Sequence, residues 1–408
     1  MSIEATRRQF LAQAALLGGV SAALQHPILA AERAPGATAP KGEAGSSEKV
    51  PLAPPDAQPP KLSLPEGGRK LGYAIVGLGE LSVEEILPAF RECQHARPTA
   101  LVSGHPEKAK RLAEAYGVEA NAIYNYENFD KLKDDPRVDV IYIVLPNSMH
   151  AEFTIRGLQA GKHVLCEKPM APSLAECEKM IAAAQAAGKQ LGVAYRLHYE
   201  PLNLKVMELC RQKAFGQVKT FSSTNNQNTP APNIRLSKKL GGGPVGDVGV
   251  YSINAARYCI GEEPVEIAAF ANFPKGDPRF REVPESVAYT MRYPSGVLAQ
   301  CDCSFGTTES RRYRVNCTDG YIEMDPAFSY RGLKLFTQAG EAKKDSGQRS
   351  ELQIRQVNHF ASEMDHFAVD LMAGKPVRTP GELGLADMKI VLAVMEAAES
   401  GQIVRLAQ

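Results

Sequence analysis

The chain has 408 residues, 44% hydrophobic and 23% charged, a globular composition with length enough for two or three domains. Its 47 Lys and Arg balance 46 Asp and Glu to a formal charge of +1. With no basic stripe along the chain, nothing supplies the electrostatic footprint of a nucleic-acid partner, and that class is set aside.

In chain order, the first feature is an export signal. Thr6-Arg7-Arg8-Gln9-Phe10-Leu11 precedes a mildly apolar run from Leu11 to Leu24, with small residues at Ala30 and Ala31. A charged start, a short apolar run and a small-residue cleavage site make a secretory signal, expected over 1–31. The arginine pair resembles the twin-arginine class. The run lacks a polar face, and it is too short and Gly-rich to span a membrane. A periplasmic protein exported by the twin-arginine route is therefore expected, with no membrane partner after cleavage. Residues 32–70 are dense in Pro, Ala, Gly and Ser, including Pro54-Pro55 and Pro59-Pro60. Such a stretch favours extended geometry, as a flexible spacer or as an arm packed on a neighbouring subunit.

From Gly72 the texture changes. Tyr73-Ala74-Ile75-Val76 reads as a strand running into Gly77-Leu78-Gly79, and a helical pattern follows through Phe90. A strand at Thr99–Val102, a helix at Glu107–Tyr116, a link holding Tyr124 and Tyr126, and a strand at Val138–Val144 come next. Helix Ala151–Ala160, strand His163–Cys166, helix Leu174–Ala187 and strand Gln190–Ala194 complete the series. Strand and helix alternating at this spacing predict parallel βαβ units, an α/β dinucleotide-binding domain of Rossmann type over 71–195. Beyond Tyr195, longer alternating strands at Val218–Asn225, Val265–Ala271, Ser286–Tyr293 and Val297–Phe305 predict a large, mainly antiparallel sheet with one face covered. Two amphipathic helices, Asn358–Met372 and Glu382–Ser400, close an α+β domain for substrate and oligomerisation over 196–408. The eight cysteines are expected to be mostly free, buried thiols, and Cys301-x-Cys303 carries no zinc-like spacing.

Gly77-Leu78-Gly79-Glu80-Leu81-Ser82 stands where a diphosphate-binding turn belongs: the first Gly for the tight turn, the second for close approach of the backbone. Ser82 replaces the usual third small residue, which affects only close packing. After the second strand come Ser103-Gly104-His105, with Lys108 a turn later. An acidic residue there would select NAD by its ribose hydroxyls. A hydroxyl and an ammonium suit a 2′-phosphate instead, so NADP is expected.

Leu145-Pro146-Asn147-Ser148-Met149-His150, Gly161-Lys162-His163-Val164-Leu165-Cys166-Glu167-Lys168-Pro169 and Gly246-Asp247-Val248-Gly249-Val250-Tyr251 with Asn254 occur together. In these motifs the chain resembles the Gfo/Idh/MocA oxidoreductase family, from about Tyr73 to the carboxyl terminus. Ala194-Tyr195-Arg196 and Leu240-Gly241-Gly242-Gly243 lean toward its glucose–fructose oxidoreductase branch. The inositol dehydrogenase branch usually holds His where Tyr251 stands.

Oxidising an alcohol requires a base for the hydroxyl proton. A tyrosine has a reference pKa of about 10, and a neighbouring ammonium favours its phenolate. Lys168 and Tyr251 are the candidates, with Asp247 on the same helical face as Tyr251 by its i, i+4 spacing. The resemblance implies cofactor contacts from Gly77, Leu78, Gly79, Glu80, Leu81, Ser103, Lys108, Tyr126, Leu145, Pro146, Asn147, His150, Glu167, Lys168, Arg196, Arg235 and Tyr330. His150 reads equally as a structural histidine, and Arg196, His198 and Asn203 fall where the domains meet and ligands usually bind. The resemblance further implies a homo-oligomer, dimer or tetramer, acting on small-molecule sugars.

Three functions follow. The first is an enzyme with tightly bound NADP that oxidises an aldose such as glucose at C1 to a lactone and reduces a second sugar. The second is a sugar or diol dehydrogenase with exchanging NADP. The third is a non-catalytic sugar-binding protein. Export argues for the first, because the periplasm offers no NADP pool.

Overall fold

A computed structural model describes residues 68–340 and 349–406. The expected signal over 1–31 and nearly all of the Pro-rich arm lie outside the described residues. The chain enters the fold at β1 (Leu71–Val76), every residue of which is buried. A strand apolar on both faces belongs inside a parallel sheet covered on both sides. After the Gly77–Gly79 turn comes α1, a wide π turn at Ser82–Ile86 continuing as Leu87–Ala89. Helical geometry runs unbroken from Glu80 to Ala89, where the pattern through Phe90 predicts a helix. Then follow β2 (Ala96–Val102), α2 (Pro106–Tyr116), β3 (Ile123–Tyr124), β4 (Val140–Ile143), α3 (His150–Gln159), β5 (His163–Glu167), α4 (Leu174–Ala187) and β6 (Leu191–Ala194). The six strands pair in parallel in the order β3-β2-β1-β4-β5-β6. The order reverses between β1 and β4, so the crevice at their carboxyl ends lies beside Gly77 and Leu145. Local sequence sets these boundaries. Ser173 caps α4 by accepting from the Glu176 N–H, and Gly188 ends it at φ +60°.

The second half opens with α5 (Pro201–Arg211), capped by the Glu200 carboxylate on the N–H groups of Leu202 and Asn203. Strand β7 (Val218–Asn228) leads through a loop and a π turn at Val245–Gly249 into α6 (Val250–Ile260). Then come β8 (Glu266–Asn272), β9 (Ser286–Arg292), β10 (Leu298–Ser304), β11 (Gly306–Cys317), β12 (Gly320–Met324), β13 (Leu335–Ala339), β14 (Ser350–Leu352), α7 (His359–Met372), α8 (Gly381–Ser400) and β15 (Val404–Arg405). Their sheet runs β14-β13-β12-β11-β7-β10-β9-β8-β15, antiparallel throughout except where β10 meets β7. Helices α6 and α8 pack on this sheet. Strand alternation turns Phe221, Tyr289 and Cys301 inward, while Phe270 is 79% exposed on the open face. The chain does not finish on a helix: β15 returns to pair with β8. All eight cysteines are unpaired and all but Cys317 buried. Among the described residues, no helix is long and apolar enough to cross a membrane.

Buried side chains join the two halves. Asp365 on α7 accepts the N–H groups of Gln94 and His95, each at 2.7 Å, and the Tyr73 hydroxyl donates to the Met364 carbonyl at 2.8 Å. Asp387 on α8 is fully buried and accepts from Asn254 Nδ2 at 2.8 Å and Arg257 Nη1 at 2.5 Å. It thereby holds α6 against the carboxyl-terminal helix. Removing one partner of such a pair leaves the other charge uncompensated. Asp387→Ala is expected to destabilise the fold by about 3 kcal/mol in urea unfolding at neutral pH.

Candidate active site

The crevice at the β1–β4 switch is shaped by its glycines. Gly77 sits at φ +93°, and a Cβ there would lie 2.2 Å from the Val144 carbonyl oxygen, so only glycine fits. A Cβ on Gly79 would meet nothing within 4 Å, which leaves open room beside the backbone. Ser82 departs from the usual small residue to a purpose: fully buried, its hydroxyl donates to the Gly77 carbonyl at 2.6 Å and fixes the turn. Leu78 is buried, Leu81 packs on the core, and Glu80 is exposed near Arg235.

At the end of β2, the buried Ser103 hydroxyl accepts the His105 N–H at 3.0 Å. No side chain caps the amino terminus of α2, where Lys108 stands half-exposed. Unpaired N–H groups, a hydroxyl and an ammonium are donors to an anionic group. Gly104 leaves room for the Tyr126 ring, whose Cε2 would be 3.3 Å from a Cβ at that position. Leu145 and Pro146 follow β4, and Asn147 Nδ2 reaches across the crevice to the Gly241 carbonyl at 2.8 Å. Gly241, at φ +77°, has no space for a side chain, since its Cβ would be 2.8 Å from that of Asn147. The glycine run of the second domain thus straps down onto the Rossmann domain.

The two domains share one ionic centre. Lys168, at the end of β5, donates from Nζ to the Asp247 carbonyl at 2.8 Å and to its Oδ1 at 3.1 Å. Arg235 Nε donates to the other carboxylate oxygen, Oδ2, at 2.7 Å. Burial by itself would push the Asp247 carboxyl up; the charges of Lys168 and Arg235 outweigh it and hold it down at about 2. Burial likewise opposes the Lys168 charge, and Asp247 outweighs that in turn, so the ammonium is kept. Lys168 Nζ lies 4.9 Å from the centre of the Tyr251 ring. Asp247 and Tyr251 come from successive turns, the π turn before α6 and α6 itself. Lys168, Asp247 and Tyr251, named from the sequence as the catalytic group, therefore meet. With its carboxyl at about 2, Asp247 is a poor base and a good counterion, whereas the Tyr251 hydroxyl has no protein hydrogen-bond partner among the described residues.

Other expected cofactor contacts have partners within the protein. His150 is fully buried, its Nδ1 2.9 Å from the Pro169 carbonyl and its Nε2 2.9 Å from that of Leu145. It ties the two family motifs together, the structural role. Glu167 Oε1 accepts from the Tyr142 hydroxyl at 2.9 Å. Arg196 uses its terminal nitrogens on the Phe328 and Ser329 carbonyls and on His359. Arg235 serves Asp247, and the Tyr330 hydroxyl is pushed up to about 12 by burial and by Tyr251. His198 Nε2 meets Asn254 Oδ1 at 2.7 Å, and burial lowers its ring to about 4, so it is a neutral prop for α6. Asn203 bonds to Glu200, Tyr258 and Tyr313. Sequence reasoning missed His359, Phe360 and Glu363 on α7, which reach this centre from far along the chain; only the helical apolar pattern around them was visible.

A Rossmann crevice with a glycine cradle, opening onto a lysine, a tyrosine and a carboxylate from a second domain, defines an oxidoreductase that uses a nicotinamide dinucleotide. The comparisons with known proteins agree. Residues 71–195 match the oxidoreductase family, NAD-binding Rossmann fold, and residues 203–323 match the GFO/IDH/MocA C-terminal domain. The chain belongs to the Gfo/Idh/MocA family and is an NAD(P)-dependent sugar oxidoreductase. D-xylose 1-dehydrogenase (NADP(+)) 2 of Haloferax volcanii is 30% identical over 82% of this chain and 99% of its own length. The D-xylose 1-dehydrogenase [NADP(+)] of Haloarcula marismortui is 28% identical over 82% of this chain and 92% of its own. Among solved structures, aldose-aldose oxidoreductase from Caulobacter crescentus, complexed with glycerol, superposes with a TM-score of 0.79. It is 40% identical, over 83% of this chain and all of that one.

The Asp247 ion pairs set a pH dependence. Its folded value of about 2 lies below the ordinary 3.8, so the pairs stabilise the fold above about pH 4. That contribution, about 2 kcal/mol, is lost as the pH falls toward 2. Asp247→Asn is expected to be less stable than the parent at pH 7, with the gap closing below pH 4 in urea titrations. A gap that stays constant down to pH 2 would contradict this.

Proposed function

We propose that the protein carries a tightly bound NADP, oxidises an aldose at C1 to a lactone, and reduces a second sugar in the alternate half-reaction. The observation that carries the reading is the meeting of Lys168, Asp247 and Tyr251 across the domain boundary, beside the crevice at the β1–β4 switch. The glycine cradle suits the diphosphate, and Ser103, Lys108 and the uncapped start of α2 suit a 2′-phosphate. When bound, the nicotinamide supplies the acceptor and donor of hydride. The protein's own work is on the proton. Tyr251 takes the C1 hydroxyl proton as the C1–H bond breaks and the carbonyl forms, and returns a proton to the second sugar's carbonyl oxygen. Lys168 supplies positive charge beside that oxygen, and Asp247 holds Lys168 in place.

The 40% identity to an aldose-aldose oxidoreductase supports a sugar for both half-reactions, and the relatives named for NADP(+) support that cofactor. The same D-xylose dehydrogenases favour a second reading, in which NADP exchanges at each turnover. The strap from Gly241 to Asn147 favours retention, as does the twin-arginine pattern, which supports a periplasmic protein loaded with cofactor before export. The open sheet face supports a homo-oligomer. It presents the exposed Phe270 together with Arg312, Arg314, Asp302 and Glu323, charges of both signs that a two-fold copy can match.

Tyr251→Phe keeps the ring but removes the proton acceptor. It is expected to keep the cofactor while aldose oxidation in a single turnover falls about 10²–10⁴-fold. A Phe variant that folds and turns over at the parent rate would remove the assignment. Separately, Ser103→Asp is expected to weaken NADP relative to NAD by about 1.5–3 kcal/mol, read by equilibrium binding to stripped protein. Unchanged relative affinity would place the choice elsewhere.

A further inference from the structure

Arg196 follows β6 directly, where the chain leaves the Rossmann sheet. It is only 2% exposed, a costly place for a cation. Its terminal nitrogens donate to the carbonyls of Phe328 at 2.5 Å and Ser329 at 3.3 Å, and to His359 Nδ1 at 2.8 Å. Burial and the neighbouring Arg196 keep the His359 ring low, at about 3, so it is a neutral acceptor. No carboxylate pairs with the guanidinium among the described residues, and its Nε is buried without a partner. The buried carboxyls of Glu167, Glu200 and Glu363 are near enough to feel its charge, but none reaches the guanidinium directly. Its direct neighbours include aromatic rings. The guanidinium carbon lies 4.6 Å from the centre of the Tyr330 ring, 5.3 Å from Tyr251 and 5.9 Å from Phe360. Tyr251 thus has two cations at its ring, Lys168 from the end of β5 and Arg196 from just beyond β6.

We propose that Arg196 is a positioning residue for the catalytic tyrosine: fixed by two backbone carbonyls, it sets the Tyr251 ring beside Lys168 for proton exchange with the sugar. The inference rests on the reading of Tyr251 given above. A cation over an aromatic ring is attracted by its π electrons. A phenolate is richer in electrons than a phenol, so the attraction strengthens in the state that accepts a proton. That makes the effect differential, the condition for acting on rate and not on affinity alone. The planar fork matters as well, because a lysine ammonium cannot donate in parallel to two carbonyls while stacking on a ring.

The experiment uses the full-length, cofactor-loaded protein. Arg196→Met is expected to melt several degrees below the parent, because buried acceptors lose their donor, yet to stay folded at the assay temperature and keep its nucleotide content by absorbance. Its kcat should fall roughly 10- to 30-fold with KM little changed. Arg196→Lys should recover part of that loss, and it serves alone if the Met variant does not fold; a Lys variant with the parent's kcat overturns the proposal. The deciding measurement combines substitutions. In a Tyr251→Phe background, Arg196→Met should slow the residual turnover no further, because it acts through the hydroxyl already removed. Losses that multiply would show a general structural role and overturn the inference, while leaving the Tyr251 assignment intact. If instead Tyr251→Phe alone is fully active, the underlying reading fails first, and the two failures are told apart.

Discussion

The structure turns on one largely buried ion pair, between Lys168 of the Rossmann domain and Asp247 of the sheet domain. Each charge alone would be expensive in that setting, and each is tolerable because the other is within hydrogen-bond reach. The pair therefore does two jobs. It fixes how the domains meet, and it keeps an ammonium charged beside the ring of Tyr251. Arg235 on the remaining carboxylate oxygen strengthens the arrangement and ties in the loop that carries the glycine strap.

Everything around the pair serves to hold these groups still. The π turn at Val245–Gly249 brings Asp247 into the crevice as α6 begins, and the buried Asp387 holds that helix through Asn254 and Arg257. Cys303 packs against Gly249, where a Cβ would come within 3.1 Å of its sulfur, so sheet and helix approach closely behind the site. On the Rossmann side, the Ser82 hydroxyl donates to the Gly77 carbonyl, and the buried His150 ring is wedged between the Leu145 and Pro169 carbonyls. Catalytic groups on such supports need little reorganisation as charge moves, the usual source of electrostatic catalysis.

Much of this was legible in the sequence. Strong apolar runs such as Val138–Val144 and clear amphipathic helices such as Leu174–Ala187 follow from local periodicity, and the structure places a strand and a helix there. Lys168, Asp247 and Tyr251 could be singled out because each lies in a dense short motif, and the structure brings them together. The first helix stands where the apolar spacing through Phe90 puts it, but that spacing does not show that its middle widens to a π turn at Ser82–Ile86. Strands β11 to β14 lack a sharp alternating signal, since polar residues such as Arg311 and Arg312 fill them. Arg196 was read as a cofactor contact from its place at the domain boundary. Its partners, Phe328, Ser329 and His359, are more than a hundred residues away, and no local pattern could have announced them.

Transfer of hydride from one sugar to another through a retained nicotinamide at the Lys168–Tyr251 centre is tested most directly by the absorbance of protein purified with no added nucleotide, recorded before an aldose is added, after it, and after a second sugar follows. The account predicts about one NADP per chain, appearance of the reduced nicotinamide band on adding the aldose, and its loss on adding the second sugar, with the nucleotide still bound after gel filtration. Protein that carries no nicotinamide nucleotide, or that releases it in the reduced form before the second sugar is added, would contradict it.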